Sequence, residues 1–200
     1  MSMWFLMEDF LNTIYNYIIN IVNSSNIFGP LFACLLIFIE SILPVLPLFV
    51  FITIIFIAYG YALGFIISYI LTVLGCYFSF FLCRKYLKNF FRKKVRKIEQ
   101  FDKLMKKIDK IKFSNLVLLI SIPFTPAFLI NIASSLSEME FKKFSLSILI
   151  GKVFIVFFWG FIGTSLVESL KNPKILIIIV IMLGIAYLIS KIVTKKLNVE

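Results

Sequence analysis

The sequence predicts an all-α, polytopic integral membrane protein with two opposed re-entrant helical hairpins and an amphipathic cytoplasmic helix. Hydrophobic residues make up 61% of the 200 residues and charged residues only 16%, whereas about 45–50% of a soluble globular chain is apolar. The mean hydropathy is +1.02, and a soluble domain of this size has too little interior to bury so much apolar surface. A segment that spans lipid must form the hydrogen bonds of its own backbone groups internally, and this requirement favours helices.

The residue types present exclude several classes of function. The chain has no histidine, which removes imidazole metal sites and Ser-His catalysis. The three cysteines, Cys34, Cys76 and Cys83, lie in apolar stretches without metal-ligand spacing. No nucleophile-and-base set and no Gly-rich phosphate loop is present. We therefore predict that the protein is not an enzyme and uses no metal or cofactor.

The N-terminal region, residues 1–26, is predicted to form an amphipathic or membrane helix over residues 4–22. A polar stripe with four-residue spacing, which includes Glu8, Asn12 and Asn16, indicates helix. Nineteen residues can just span a bilayer, but the acidic and amide side chains also suit an interfacial helix or a stripe that faces protein. The segment lacks a basic start and a cleavage site, which argues against a signal peptide.

Residues 27–168 form the predicted membrane domain, which opens with a broken apolar segment at residues 31–59. Two short arms flank Pro44 and Pro47, and no charge occurs from Ser41 to Cys83. That stretch is about twice the length of one span, and we predict a break at Gly60 and Gly64. Residues 63–83 then make one span.

Residues 84–112 are a basic segment with 13 Lys or Arg and 3 acidic residues, and they hold nearly all of the net charge of +11. Apolar residues recur every three or four positions, which predicts an amphipathic helix with a cationic face; the alternative is a solvated cytoplasmic loop. Because these bases fill a gap between apolar blocks, we expect the anionic inner leaflet as partner and no nucleic acid.

The remaining segments are a second broken stretch and two spans. Residues 113–137 are cut by Pro123 and Pro126 into arms of about ten residues, each half a membrane long. Residues 144–166 form a span that contains Lys152. Residues 169–200 comprise a C-terminal transmembrane helix, at residues 175–189, and a basic tail.

Positive charge sets the predicted orientation. We expect the protein in the plasma membrane, with the basic segment and the C-terminal lysines on the cytoplasmic side. Counting spans back from the C-terminus puts residues 138–143 on the cytoplasmic side, where the basic segment also lies, so residues 113–137 enter and leave on the same face and are re-entrant. The stretch at residues 31–59 is then predicted to enter the membrane from the outer face and to return to it. The two Pro-x-x-Pro motifs lie 79 residues apart, a pattern that points to an inverted repeat with a site near the bilayer midplane.

Four polar side chains are candidates for function. Glu40 is the only acid between Asp9 and Glu99, and a carboxylate in a membrane usually faces a cavity or a partner; alternatively it is solvated at head-group level. Asn131 either contacts a head group or joins helices. Arg84 either contacts head-group phosphate or anchors the end of a span. Lys152 either pairs with Glu40 or stays near the inner interface.

Several of these residues resemble the DedA superfamily, whose shared region is the VTT or SNARE-associated Golgi protein domain. The resemblance covers about residues 27–168 and rests on the two proline motifs and on a series of spaced residues: Glu40, Gly60, Gly64, Gly75, Arg84, Asn131, Met139, Phe144 and Gly151. It implies two facing re-entrant hairpins and lipid translocation. The residues implied to line the lipid path are Glu40, Pro44, Pro47, Pro123, Pro126 and Asn131.

The sequence departs from the family at several positions. The family often has Arg three residues before the first proline of the second hairpin, where this chain has Ile120.

We expect a lipid transporter or scramblase for phospholipid or polyisoprenyl-phosphate head groups. The alternatives are a small-solute or ion secondary transporter and a non-transporting envelope-homeostasis factor. The lipid, the direction, proton coupling and homo-oligomer formation stay open.

Overall fold

The computed structural model describes residues 28–42, 48–87, 108–125, 127–169, 172 and 174–197. The predicted N-terminal helix and most of the predicted amphipathic helix therefore lie outside the described residues. Within these ranges the structure is helical and contains no strand, which confirms the all-α class. The helices are α1 (Phe28–Ile42), α2 (Leu48–Leu82), α3 (Phe113–Ser121), α4 (Ala127–Leu136), α5 (Phe141–Ser169) and α6 (Lys174–Leu197), with a π-helical turn at Cys83–Leu87 after α2.

Helix α2 is divided by a sharp break at Gly60, as predicted. The φ of Gly60 is 77° and its ψ is 174°, a conformation that glycine adopts without a Cβ clash. A Cβ added to Gly64 would lie 2.7 Å from the Cα of Phe56, although residues eight apart in a straight helix are about 12 Å apart. The chain therefore folds back, and α2 comprises a first limb (residues 48–59) and a second limb (residues 61–82).

Among the described residues, three helical segments are long and apolar enough to cross a membrane: Leu48–Tyr86, Phe141–Ser169 and Lys174–Lys196. The break at Gly60 leaves residues 61–86 as the straight part of the first segment, about 39 Å at 1.5 Å per residue. These segments match the three predicted spans. The last one extends beyond the predicted end at residue 189, because lysine is a good helix former and Lys191, Lys195 and Lys196 continue the helix.

The second limb and α5 are antiparallel and are joined by three tyrosines. Tyr61 donates to Thr164 Oγ1 at 3.1 Å, and Tyr69 donates to the carbonyl of Leu149 at 2.9 Å. Tyr77 lies 2.6 Å from Ser145 Oγ. The bundle thus has a Gly60 end, near Thr164, and an Arg84 end, near Ser145.

Two pairs of short helices pack on this frame from opposite ends. The first helical pair is α1 with the first limb: Ala33 of α1 shares a buried cluster with Phe56, and Phe65 packs on that cluster near the Gly60 end. The second helical pair is α3 with α4. Lys143 donates to the carbonyl of Ile111 just before α3, and Arg84 donates to the carbonyl of Met139 just after α4. The second pair therefore begins and ends at the Arg84 end.

Candidate functional site

The end of α1 packs on the second limb through a glycine. A Cβ added to Gly75 would lie 2.5 Å from the Cβ of Ser41 and 3.0 Å from the carbonyl of Phe38, so only glycine permits this approach. Ser41 is three residues before Pro44 and donates its hydroxyl to the carbonyl of Ile37 at 3.0 Å. Gly75 is 15 residues from the Gly60 break, so the contact lies deep inside the bundle.

The end of α3 packs on α5 in the same way. A Cβ added to Gly151 would lie 2.5 Å from Cγ2 of Ile120, and Ile120 is only 2% exposed. Ile120 is three residues before Pro123. In each helical pair, the residue three positions before the proline motif contacts a glycine of the long helix that follows. Ser41 contacts Gly75, and Ile120 contacts Gly151.

Each of these glycines is followed by a residue that is buried in the bundle. Cys76 accepts a hydrogen bond from Asn131 Nδ2 of the second pair at 3.3 Å. Lys152 directly follows Gly151 and is 6% exposed. The hydrogen bond from Asn131 to Cys76 therefore joins the second pair to the second limb, one residue after the Gly75 contact of the first pair.

Polar side chains lie beside both glycine contacts, although the bundle is apolar. Asn131 is 4% exposed and Lys152 is 6% exposed, whereas Glu40 is half-buried. In the part of the chain that the structure describes, the buried Oδ1 of Asn131 and the buried hydroxyls of Ser68 and Ser134 have no hydrogen-bond partner. Buried polar atoms without partners are rare in native structures and cost free energy.

Arg84 lies at the end of α4 and binds carbonyl groups in its last turn and just after it. Its Nε donates to the carbonyl of Ser135 at 3.1 Å, and its Nη2 donates to those of Ser137 and Met139 at 3.0 and 2.7 Å. The guanidinium carbon lies 4.4 Å from the ring centre of Phe80. Arg84 therefore caps a helix C-terminus, where a cation is favourable, and its contact with a head group remains a prediction.

Aromatic rings join the two helical pairs on the side of α5. Trp159 lies 5.8 Å from Phe49 of the first limb and 5.7 Å from Phe124 between α3 and α4. Phe124 has a φ of 66°, which is uncommon for a bulky residue, and its ring is half exposed. The sequence drew attention to neither ring, since aromatic residues are frequent throughout the chain.

Three of the predicted site residues, Pro44, Pro47 and Pro126, lie outside the described residues. Pro123 is buried in the turn at residues 122–125. The sequence analysis did not predict the contacts of Ser41 and Cys76. The signal available for them was that Ser41 follows Glu40 and Cys76 follows Gly75. Across the described ranges, no group of three or more His, Cys, Asp or Glu side chains could hold a metal ion.

Comparison with known proteins shows the family of the chain. The VTT domain matches residues 43–165, more than half of the chain. The chain belongs to the VTT-domain family of the DedA superfamily. The match begins directly after α1 and ends near the end of α5, so the family region contains Gly75, Ile120 and Gly151, whereas Ser41 lies before it.

The relatives extend the match over nearly the whole chain. An uncharacterized membrane protein of Bacillus subtilis strain 168, YhjE, is 30% identical over 196 residues, which are 98% of this chain and 95% of the relative. A second protein of that bacterium, YqeD, is 27% identical over 132 residues, which are 66% of this chain and 64% of the relative. No solved structure matches the chain. Family membership indicates a role related to membrane transport.

Proposed function

We propose that this protein is a plasma-membrane lipid transporter or scramblase that moves phospholipid or polyisoprenyl-phosphate head groups across the bilayer. The observation that carries the proposal is the set of polar side chains beside the two glycine contacts: Glu40, Asn131 and Lys152. A bundle with this apolar exterior has no need of a buried lysine, a carboxylate and unpartnered amide and hydroxyl atoms for its stability. Such groups in membrane segments mark substrate paths.

The two helical pairs are proposed to be re-entrant hairpins related by an inverted repeat. Two features support this proposal. The second pair has both ends at the Arg84 end of the bundle, as its contacts with Lys143 and Arg84 require. The contacts of Ser41 with Gly75 and of Ile120 with Gly151 occupy equivalent positions relative to the two proline motifs, which is the relation expected of inverted halves.

Head groups are proposed to pass between the hairpin tips while acyl chains stay in the bilayer. The lipid path would include Glu40, Pro44, Pro47, Pro123, Pro126 and Asn131, with Arg84 at its cytoplasmic end. The Arg84 end is proposed to face the cytoplasm, because the basic segment follows it directly. Residues 84–112 would then attract anionic lipid of the inner leaflet, and each base near the surface would contribute about 1 kcal/mol.

The test is a lipid-movement assay with the purified chain in liposomes that contain labelled phospholipids. We expect the wild-type protein to move lipid between leaflets and Glu40→Gln to slow that movement, because the variant keeps the size of the side chain and loses its charge. The control is Ile178→Leu, a change at an exposed apolar position of α6, which should move lipid at the wild-type rate.

The outcome separates the proposal from its alternatives. Lipid movement at the empty-liposome rate, with folded wild-type protein in the bilayer, would overturn the proposal. Uptake of ions or small solutes by the same liposomes would then indicate a secondary transporter. The absence of both activities would indicate a non-transporting envelope factor.

A further inference from the structure

The two helical pairs meet on one side chain of α5, close to their proline motifs. The ring centroid of Trp159 lies 5.8 Å from that of Phe49 and 5.7 Å from that of Phe124. Phe49 is the second residue of the first limb, two positions after Pro47. Phe124 directly follows Pro123 in the turn of the second pair. Trp159 therefore joins the chain just after one proline motif to the turn inside the other.

Phe124 has a backbone conformation that a bulky residue rarely adopts. Its φ is 66°, in the left-handed region that favours glycine, and such a conformation persists only where surrounding contacts hold it. Burial does not compensate for this strain, because the side chain is 49% exposed. Among the described residues, the ring has edge contacts with Trp159 and with Tyr187 of α6, whose centroid is 6.2 Å away. These aromatic contacts hold the side chain in place.

The next residue adds a second cost to the same turn. Thr125 follows Phe124, and its Oγ1 is buried and has no hydrogen-bond partner within the described part of the chain. A buried hydroxyl without a partner costs free energy. Backbone strain clusters at ligand clamps and switch regions, where it is part of the mechanism. The strained residue and the unsatisfied hydroxyl are therefore expected of a turn that has a second conformation in which both costs are relieved.

We propose that Phe124 is a gate on the lipid path, which closes the gap between the two helical pairs by its contact with Trp159 and leaves Trp159 when a head group passes. This inference rests on the proposed function and adds the control of its path. In the closed state, Phe49, Trp159 and Phe124 form an apolar bridge between the pairs, and a polar head group loses its hydration there without gaining a partner. In the open state, the φ of Phe124 returns to a common value and the hydroxyl of Thr125 is free to bind the head group.

The experiment measures lipid movement by the full chain in liposomes that contain labelled phospholipids. Phe124→Gly removes the ring, and glycine keeps the observed φ without strain. We expect Phe124→Gly to move lipid about two- to tenfold faster than the wild-type protein, the factor that corresponds to the loss of one aromatic pair from the closed state. Trp159→Ala should be at least as fast, and Phe124→Tyr, which keeps the ring, should have the wild-type rate. Phe157→Ala is the matched control, since Phe157 is an exposed phenylalanine of α5.

The direction of the change separates a gate from a packing contact. Rings that only hold the helical pairs together would make folded Phe124→Gly and Trp159→Ala slower than the wild-type protein or equal to it. Either result would overturn the inference while the lipid transporter stands. If one of these variants does not fold, as judged by thermal unfolding in detergent, Phe124→Leu and Trp159→Leu decide the question in the same way, because they keep an apolar side chain without a ring. Lipid movement by the wild-type protein at the empty-liposome rate would instead overturn the proposed function.

Discussion

At the scale of single residues, glycines decide how closely the helices approach. Gly75, Gly151, Gly160 and Gly163 each lie against a side chain of a helical pair, and an added Cβ would collide there. Gly160 faces Phe56, and Gly163 faces Thr53. In membranes, where lipid tails are as apolar as leucine, such small residues permit the close packing that holds helices together.

Alanine at these glycines should therefore destabilise the bundle. We expect Gly75→Ala and Gly151→Ala each to lower the free energy of unfolding by about 1–3 kcal/mol, the usual cost of overpacking. Gly184→Ala is the matched control, because nothing lies within 4 Å of a Cβ at Gly184 and the gain in helix propensity is the same. The measurement is the thermal unfolding midpoint in detergent. Equal midpoints for all three variants would contradict the close contacts.

Arg84 is given two roles at the residue scale. It caps α4 in the structure, and it is proposed to lie at the end of the lipid path. We expect Arg84→Met to leave the carbonyls of Ser135, Ser137 and Met139 without this donor and to destabilise the protein by about 1–3 kcal/mol. Hydrogen exchange of the amides of α4 should then become faster. Wild-type exchange and stability combined with slower lipid movement would instead assign Arg84 to the head group.

At the scale of helical elements, the tyrosines of the second limb set the register against α5. Their three hydroxyls reach α5 at successive levels, from Thr164 at the Gly60 end to Ser145 at the Arg84 end. The glycine contacts then place the helical pairs at matching depths on this frame. The register of the second limb against α5 therefore sets the depths of the Gly75 and Gly151 contacts.

Removal of these tyrosine hydroxyls should weaken the contacts that fix the register of the second limb against α5, and it should leave no cavity. We expect Tyr69→Phe and Tyr77→Phe each to cost about 0.6 kcal/mol, the average for hydrogen bonds between membrane helices, and their effects to add. Tyr59→Phe, at an exposed tyrosine, is the control. Unfolding in detergent measures the difference; a double variant as stable as Tyr59→Phe would show that the hydroxyls do not fix the register.

At the scale of the whole molecule, the proposed topology places both ends of the second helical pair in the cytoplasm. We expect Gln100→Cys and Glu140→Cys to be protected from an impermeant thiol reagent added outside intact cells. Asn172→Cys, between α5 and α6, should react with it. The background lacks Cys34, Cys76 and Cys83, and Cys76→Ser keeps an acceptor for Asn131. Labelling of only one of the first two positions would eliminate the second re-entrant hairpin.

The sequence alone determined the helical class, the spans and the break at Gly60. These features depend on local properties: the length of apolar runs, the distribution of charge, and residues such as glycine and proline that interrupt a helix. The short helices on either side of residues 122–126 follow from the same kind of signal, and their observed lengths of 9 and 10 residues agree with the predicted arms.

Only the tertiary structure decided which residues meet. Glu40 and Asn131 stood out in the sequence because polar side chains are rare in apolar segments, but the partners of Asn131 and of the glycines did not. Cys76, Ser41 and Ile120 are ordinary residues of apolar helices, and their role comes from the register between helices that are far apart in the chain. Register depends on which small residues face which side chains across a packed interface, and no local pattern in one helix carries that information.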